Sequence, residues 1–87
     1  MSRSESLALR LQQCAQLFRL GRDVEAVLLM VELFEQLMPV FAQASPAQQQ
    51  TWAHLLTQML GCQEAQNWLG LADYLQYEVP ELLGEPV

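Results

Sequence analysis

The 87-residue sequence predicts an all-α fold, a small antiparallel four-helix bundle built from two helical hairpins. Three observations support this. Apolar residues recur at three- and four-residue spacing in four separate stretches, which is the periodicity of a helix with one buried face. Each stretch is bounded by residues that start or stop helices. No stretch alternates apolar and polar residues, and no Asn-Gly or Asp-Gly hairpin turn occurs. The connections are short, so neighbouring helices are expected to run antiparallel.

The first helix is expected over residues 4–20. Ser2-Arg-Ser-Glu5 reads as a capping box, in which a Ser side chain and a Glu three positions on satisfy free amides of the first turn. Leu7, Leu11, Cys14 and Phe18 mark its apolar stripe. Arg19 and Arg22 suit the negative end of the helix dipole, and Gly21 is a stop. The second helix is expected over 23–43, with Asp23 as its cap. Val24, Val27, Leu28, Val31, Phe34, Leu37 and Met38 form its main face. Leu29, Met30 and Leu33 carry apolar surface beyond that face, leaving Glu25, Glu32, Glu35 and Gln36 as a narrow polar edge. Such a helix is either central in the bundle or half covered from outside the monomer. Pro39 is expected to bend it.

Ser45-Pro46-Ala47-Gln48 offers a cap, a proline at the first helical position and a Gln to complete the box. The third helix is expected over 46–61, with Trp52, Leu55, Leu56, Met59 and Leu60 inward, ending at Gly61 or running on through Glu64. The fourth is expected over 64–79, with Asn67 as a cap and Trp68, Leu71, Ala72, Leu75 and Val79 inward. Pro80 closes it. One domain over residues 1–80 is therefore expected, with 81–87 as a fraying tail. Gly21-Arg-Asp-Val24 and Ala65-Gln-Asn-Trp68 form a faint internal echo, each a turn opening a helix.

Composition narrows the function. Apolar residues make up 52% and charged residues 16%, less polar than usual for so small a domain. Some apolar surface is thus expected to need a partner. The net charge is −6, no Lys is present, and the four Arg all precede Asp23. From Asp23 onward there are nine acidic residues and no basic ones. Nucleic acid and anionic membranes both demand cations, so neither is an expected partner. No signal peptide is evident, and a cytoplasmic location with reduced thiols is expected.

Catalytic residues are scarce. Cys14, His54 and Cys62 are the conventional nucleophile or soft-metal candidates, and no two lie at metal-ligand spacing. Glu32 and Glu35 sit one turn apart, but the Glu-x-x-His pattern of di-metal bundles is missing, and a solvated edge is expected. No glycine-rich phosphate loop occurs. The chain is read as a non-enzyme with no cofactor and no metal.

The stretch Leu17-Phe-Arg-Leu-Gly-Arg-Asp-Val-Glu-Ala26 resembles the turn between the two helices of a tetratricopeptide repeat, with Gly21 and Ala26 at the matching spacing. No second copy follows at the repeat's period of about 34 residues, so a repeat array is not expected. The run Asn67 to Pro80 is similar in character to the small acidic flagellar export chaperones. That resemblance implies a helical bundle, often dimeric, covering an aggregation-prone segment of a secreted partner. It carries no binding residues with it.

A helical protein–protein interaction module is therefore expected, a chaperone or adaptor binding a helix of another protein, with homodimerisation as the alternative. Its contact surface is expected at Leu29, Met30 and Leu33, with Tyr74 and Tyr77 alongside. Glu25 and Glu32 would form an acidic rim.

Overall fold

A computed structural model describes residues 7–84. All regular structure among them is helical. The elements are α1 (Leu7–Arg19), α2 (Asp23–Ala42), α3 (Pro46–Glu64), α4 (Trp68–Asp73), a π-helical segment (Tyr74–Glu78) and α5 (Val79–Leu83). The capping box at Ser2–Glu5 lies outside the described residues. The last three elements form one continuous rod, because the backbone stays right-handed helical through Asp73, Tyr74, Glu78 and Val79. Four helical rods thus form a slab of 34 × 33 × 20 Å, about two helix diameters thick.

The fourth rod does not stop at Pro80. Within the π-helical segment the Val79 amide donates to the Tyr74 carbonyl, five residues back rather than four. The wider turn lets Pro80, which has no N–H, enter α5 as one of its first residues. Val79 and Pro80 are buried, and Leu82 and Leu83 pack against the core. The helix consequently runs past residue 80 to Leu83, and Gly84 ends it with a positive φ. Residues 85–87 lie outside the described residues.

The turns after α1 and α3 share one geometry. After α1, the Gly21 amide donates to the Phe18 carbonyl (3.1 Å) and the Arg22 amide to the Leu17 carbonyl (2.9 Å), with Gly21 at φ 78°. After α3, the Gln66 amide donates to the Gln63 carbonyl (3.1 Å) and the Asn67 amide to the Cys62 carbonyl (2.8 Å), with Gln66 at φ 57°. Both are Schellman turns, which satisfy the last free carbonyls of a helix. The internal echo of the sequence corresponds to this shared turn. Gly61 does not end α3, which continues to Glu64.

Two of the expected caps form. Ser45 Oγ accepts from the Gln48 amide (3.2 Å), and Asn67 Oδ1 accepts from the Gly70 amide (3.0 Å). Asp23 is not a cap: it is the first helical residue, and Arg22 occupies the cap position without a side-chain bond.

Of the rods, α1 is the most embedded, with α2 on one side and the C-terminal rod on the other. It contributes Ala8, Leu11, Cys14, Ala15 and Phe18 to the core. Next to α3, α2 closes through ring contacts, with Trp52 stacked on Phe41 (centroids 4.6 Å apart) and edge-on to Phe34 (5.8 Å). From the C-terminal rod come Leu71, Ala72, Leu75 and Val79. Among the described residues, three ion pairs lie over this core. Arg10 meets Glu32 at 3.4 Å, Arg22 meets Glu25 at 2.6 Å, and one Arg19 nitrogen reaches both Asp73 and Gln76 at 2.8 Å.

Candidate functional site

The buried residues of α2 are Ala26, Met30, Leu33, Leu37 and Phe41. This differs in part from the expected orientation of the helix. Met30 and Leu33, expected to form a contact surface, are core residues, and Leu29 is half-buried against them. Of the face expected to be inward, Leu37 is buried and Val27 and Phe34 are half-buried against the core, whereas Val24, Leu28, Val31 and Met38 point outward. The reason is that α2 is apolar around most of its circumference, so periodicity alone does not choose its inner side. Packing against α1 and Trp52 makes that choice.

The outward face carries Val24 (75% exposed), Leu28 (64%), Val31 (49%) and Met38 (53%), with Glu35 between the last two. Positions 24, 28, 31, 35 and 38 alternate steps of four and three. That spacing keeps one line of a helix turned toward a partner helix. One flank of the line is acidic, with Glu25, Glu32 and Gln36 exposed, whereas the other is apolar, with Val27 and Phe34 half-buried.

Near its N-terminal end the face becomes concave. Asp23, Val24, Val27, Leu28 and Trp68 line an open hollow of about 320 Å³. Trp68 belongs to the start of α4, and its ring stacks on Phe18 with centroids 5.5 Å apart and planes 12° from parallel. Asp23 Oδ1 is buried without a hydrogen-bond partner, and Asp23 makes no ion pair among the described residues.

The C-terminal rod therefore joins this face through Trp68, a residue the sequence suggested was core. Neither tyrosine lines the hollow. Tyr74 is half-buried against the core, and Tyr77 is exposed on the π-helical segment. The expected acidic rim, Glu25 and Glu32, does flank the outward face, although each carboxylate also holds an Arg. Val24, Leu28, Val31 and Met38 satisfy the spacing of an inner stripe, so periodicity alone places them inward.

The reactive side chains lie apart from this face. Cys14 is buried, its thiol donates to the Ala26 carbonyl at 3.2 Å, and burial pushes its pKa up to about 12. Cys62 is half-buried and unbridged, and His54 is exposed on α3. Among the described residues no three His, Cys, Asp or Glu side chains converge, and no helix is long and apolar enough to cross a membrane. A second hollow, of about 370 Å³, lies between α3 and the C-terminal rod and is lined by Gln48, Thr51, Leu55, Glu78, Glu81 and Leu82.

Comparison of the chain with protein-family models, with curated proteins and with solved structures gives no match.

Proposed function

We propose that this chain is a non-catalytic protein–protein interaction module, a chaperone or adaptor that holds a helical segment of a partner on the outward face of α2. In this reading the four rods act as two antiparallel hairpins, one ending in the turn at Gly21 and the other in the turn at Gln66. The observation that carries it is the exposed line Val24, Leu28, Val31 and Met38 on a helix whose opposite side is already full. Solvated surface helices place polar residues there. Covering each of these side chains contributes on the order of 1–2 kcal/mol, so the line as a whole is worth a specific contact. Met38 adds adaptability, because its unbranched chain repacks against different shapes.

The same face is the one that self-association would use, and a homodimer is the alternative reading. Sedimentation equilibrium of the purified chain separates the two. A monomer that binds amphipathic helical peptides, and loses them on Leu28→Asp with its helicity and melting cooperativity intact, supports the module. Unchanged peptide binding by Leu28→Asp would place the contact elsewhere and overturn it.

A further inference from the structure

We propose that the outward face of α2 receives an amphipathic helix of a different protein carrying basic side chains beside its apolar seam, with one Lys or Arg of that helix seated in the hollow at Trp68 and Asp23. This rests on the helix-binding reading above and adds the chemistry of the partner.

Charge selects the occupant. The exposed line is interrupted by Glu35 and edged by Glu25 and Glu32, and its concave end carries the carboxylate of Asp23. Among the described residues, Arg22 and Arg10 already meet Glu25 and Glu32 at the edge, and no arginine pairs with Asp23 or Glu35. Arg10, Arg19 and Arg22 are held by Glu32, Asp73 and Glu25, and no Lys or Arg follows Arg22. A two-fold contact presents the same patch from both sides. In an antiparallel pair the acidic edges would meet each other, and in a parallel pair each would meet the apolar edge of Val27 and Phe34. In either arrangement the copy's Arg10 and Arg22 are already paired with its own Glu32 and Glu25, which leaves Asp23 and Glu35 without a cation, so a second copy fits this face poorly. A basic helix fits it along its length.

The hollow narrows the match further. Val24, Val27, Leu28 and Trp68 give it apolar walls, and Asp23 gives it a negative charge with one oxygen lacking a hydrogen-bond partner. A Lys or Arg side chain has the complementary build, an apolar stem with a charged end. The indole of Trp68 adds attraction for a cation lying near its face. A purely apolar side chain would leave the carboxylate without a partner.

The test uses the full chain and two synthetic helices that share one leucine seam at four–three spacing, one flanked by lysines and the other by glutamates. Affinities are read by tryptophan fluorescence and by calorimetry. The lysine helix should bind about tenfold more tightly than the glutamate helix at low salt, and added salt should shrink that ratio. Leu28→Asp should weaken the lysine helix by about tenfold or more even though it adds negative charge. Undiminished binding there would reduce the interaction to bulk charge attraction and overturn the proposal. Asp23→Asn should cost the lysine helix roughly two- to fivefold and leave the glutamate helix no weaker. If Asp23→Asn loses helicity, Glu35→Gln reports the same electrostatics from the middle of the face. Equal binding of the two helices would refute the basic partner while leaving a helix-binding face in place. Binding of neither helix, or a dimer that Leu28→Asp dissociates, would overturn the helix-binding reading itself.

Discussion

Leu28 and Leu33 lie little more than one turn apart on α2, and the structure gives them opposite roles. Truncating each to Ala removes the same three carbons. Leu33 is fully buried among core residues, so its loss forfeits about 2.4 kcal/mol of transfer free energy at roughly 0.8 kcal/mol per carbon. The unfilled space raises the total to about 3–4 kcal/mol, within the range of roughly 2–5 kcal/mol typical of core Leu→Ala changes. A domain of this size has a total stability of about 4–13 kcal/mol, so Leu33→Ala should lower Tm by more than about 10 °C. Leu28 is 64% exposed, and only the covered third of its side chain counts. Leu28→Ala should therefore cost less than about 1 kcal/mol. Urea denaturation followed by circular dichroism at 222 nm measures both. Equal losses, or a larger loss at Leu28, would mean that α2 is rotated about its axis relative to this account. The outward face would then be wrong, and the functional proposal built on it as well.

Three further outcomes are expected. Ser45→Ala removes the oxygen that accepts from the Gln48 amide at the start of α3 and should cost about 1 kcal/mol in the same denaturation assay. Gln66→Gly relieves a side chain held at φ 57° and should stabilise the chain by roughly 0.5–1 kcal/mol, measured as a rise in Tm; no change would show that the left-handed turn is not strained. Burial raises the Cys14 pKa from 9.0 to about 12, so the folded state holds the thiol proton more tightly than the unfolded chain does. Its contribution is full below pH 9 and is lost as pH rises from there toward 12, and a thiol reagent at pH 8 should leave Cys14 unmodified until the protein unfolds. Rapid modification of Cys14 in the folded protein would contradict its burial beneath Ala26.

Local chemistry decided a good part of this molecule before any tertiary contact formed. The helical class follows from apolar spacing, and the starts of α3 and α4 follow from Ser45-Pro46 and Asn67, because a cap involves only residues within one turn. The inner face of the C-terminal rod was legible for the same reason. Leu71, Ala72, Leu75 and Val79 are flanked by polar residues such as Asp73, Gln76 and Glu78, so one side is plainly apolar. Elements whose fate depends on distant residues were not legible. Pro80 reads as a stop in isolation, yet the π-helical turn before it and the packing of Val79, Leu82 and Leu83 against the core carry the helix through. Trp68 reads as core, and only its stack on Phe18 beside the exposed end of α2 makes it a wall of the hollow. On α2 itself the sequence supplied too much apolar surface to choose among faces. Two lines each satisfy helical spacing, one through Met30, Leu33 and Leu37 and one through Val24, Leu28, Val31 and Met38. The large side chains of α1 and the Trp52 ring can be packed against only one of them, and close packing across three helices is a property of the assembled fold. The sequence by itself therefore determined that α2 has apolar surface to spare. The tertiary structure decided which line of residues remains to meet a partner, because burial of one face leaves its opposite in water.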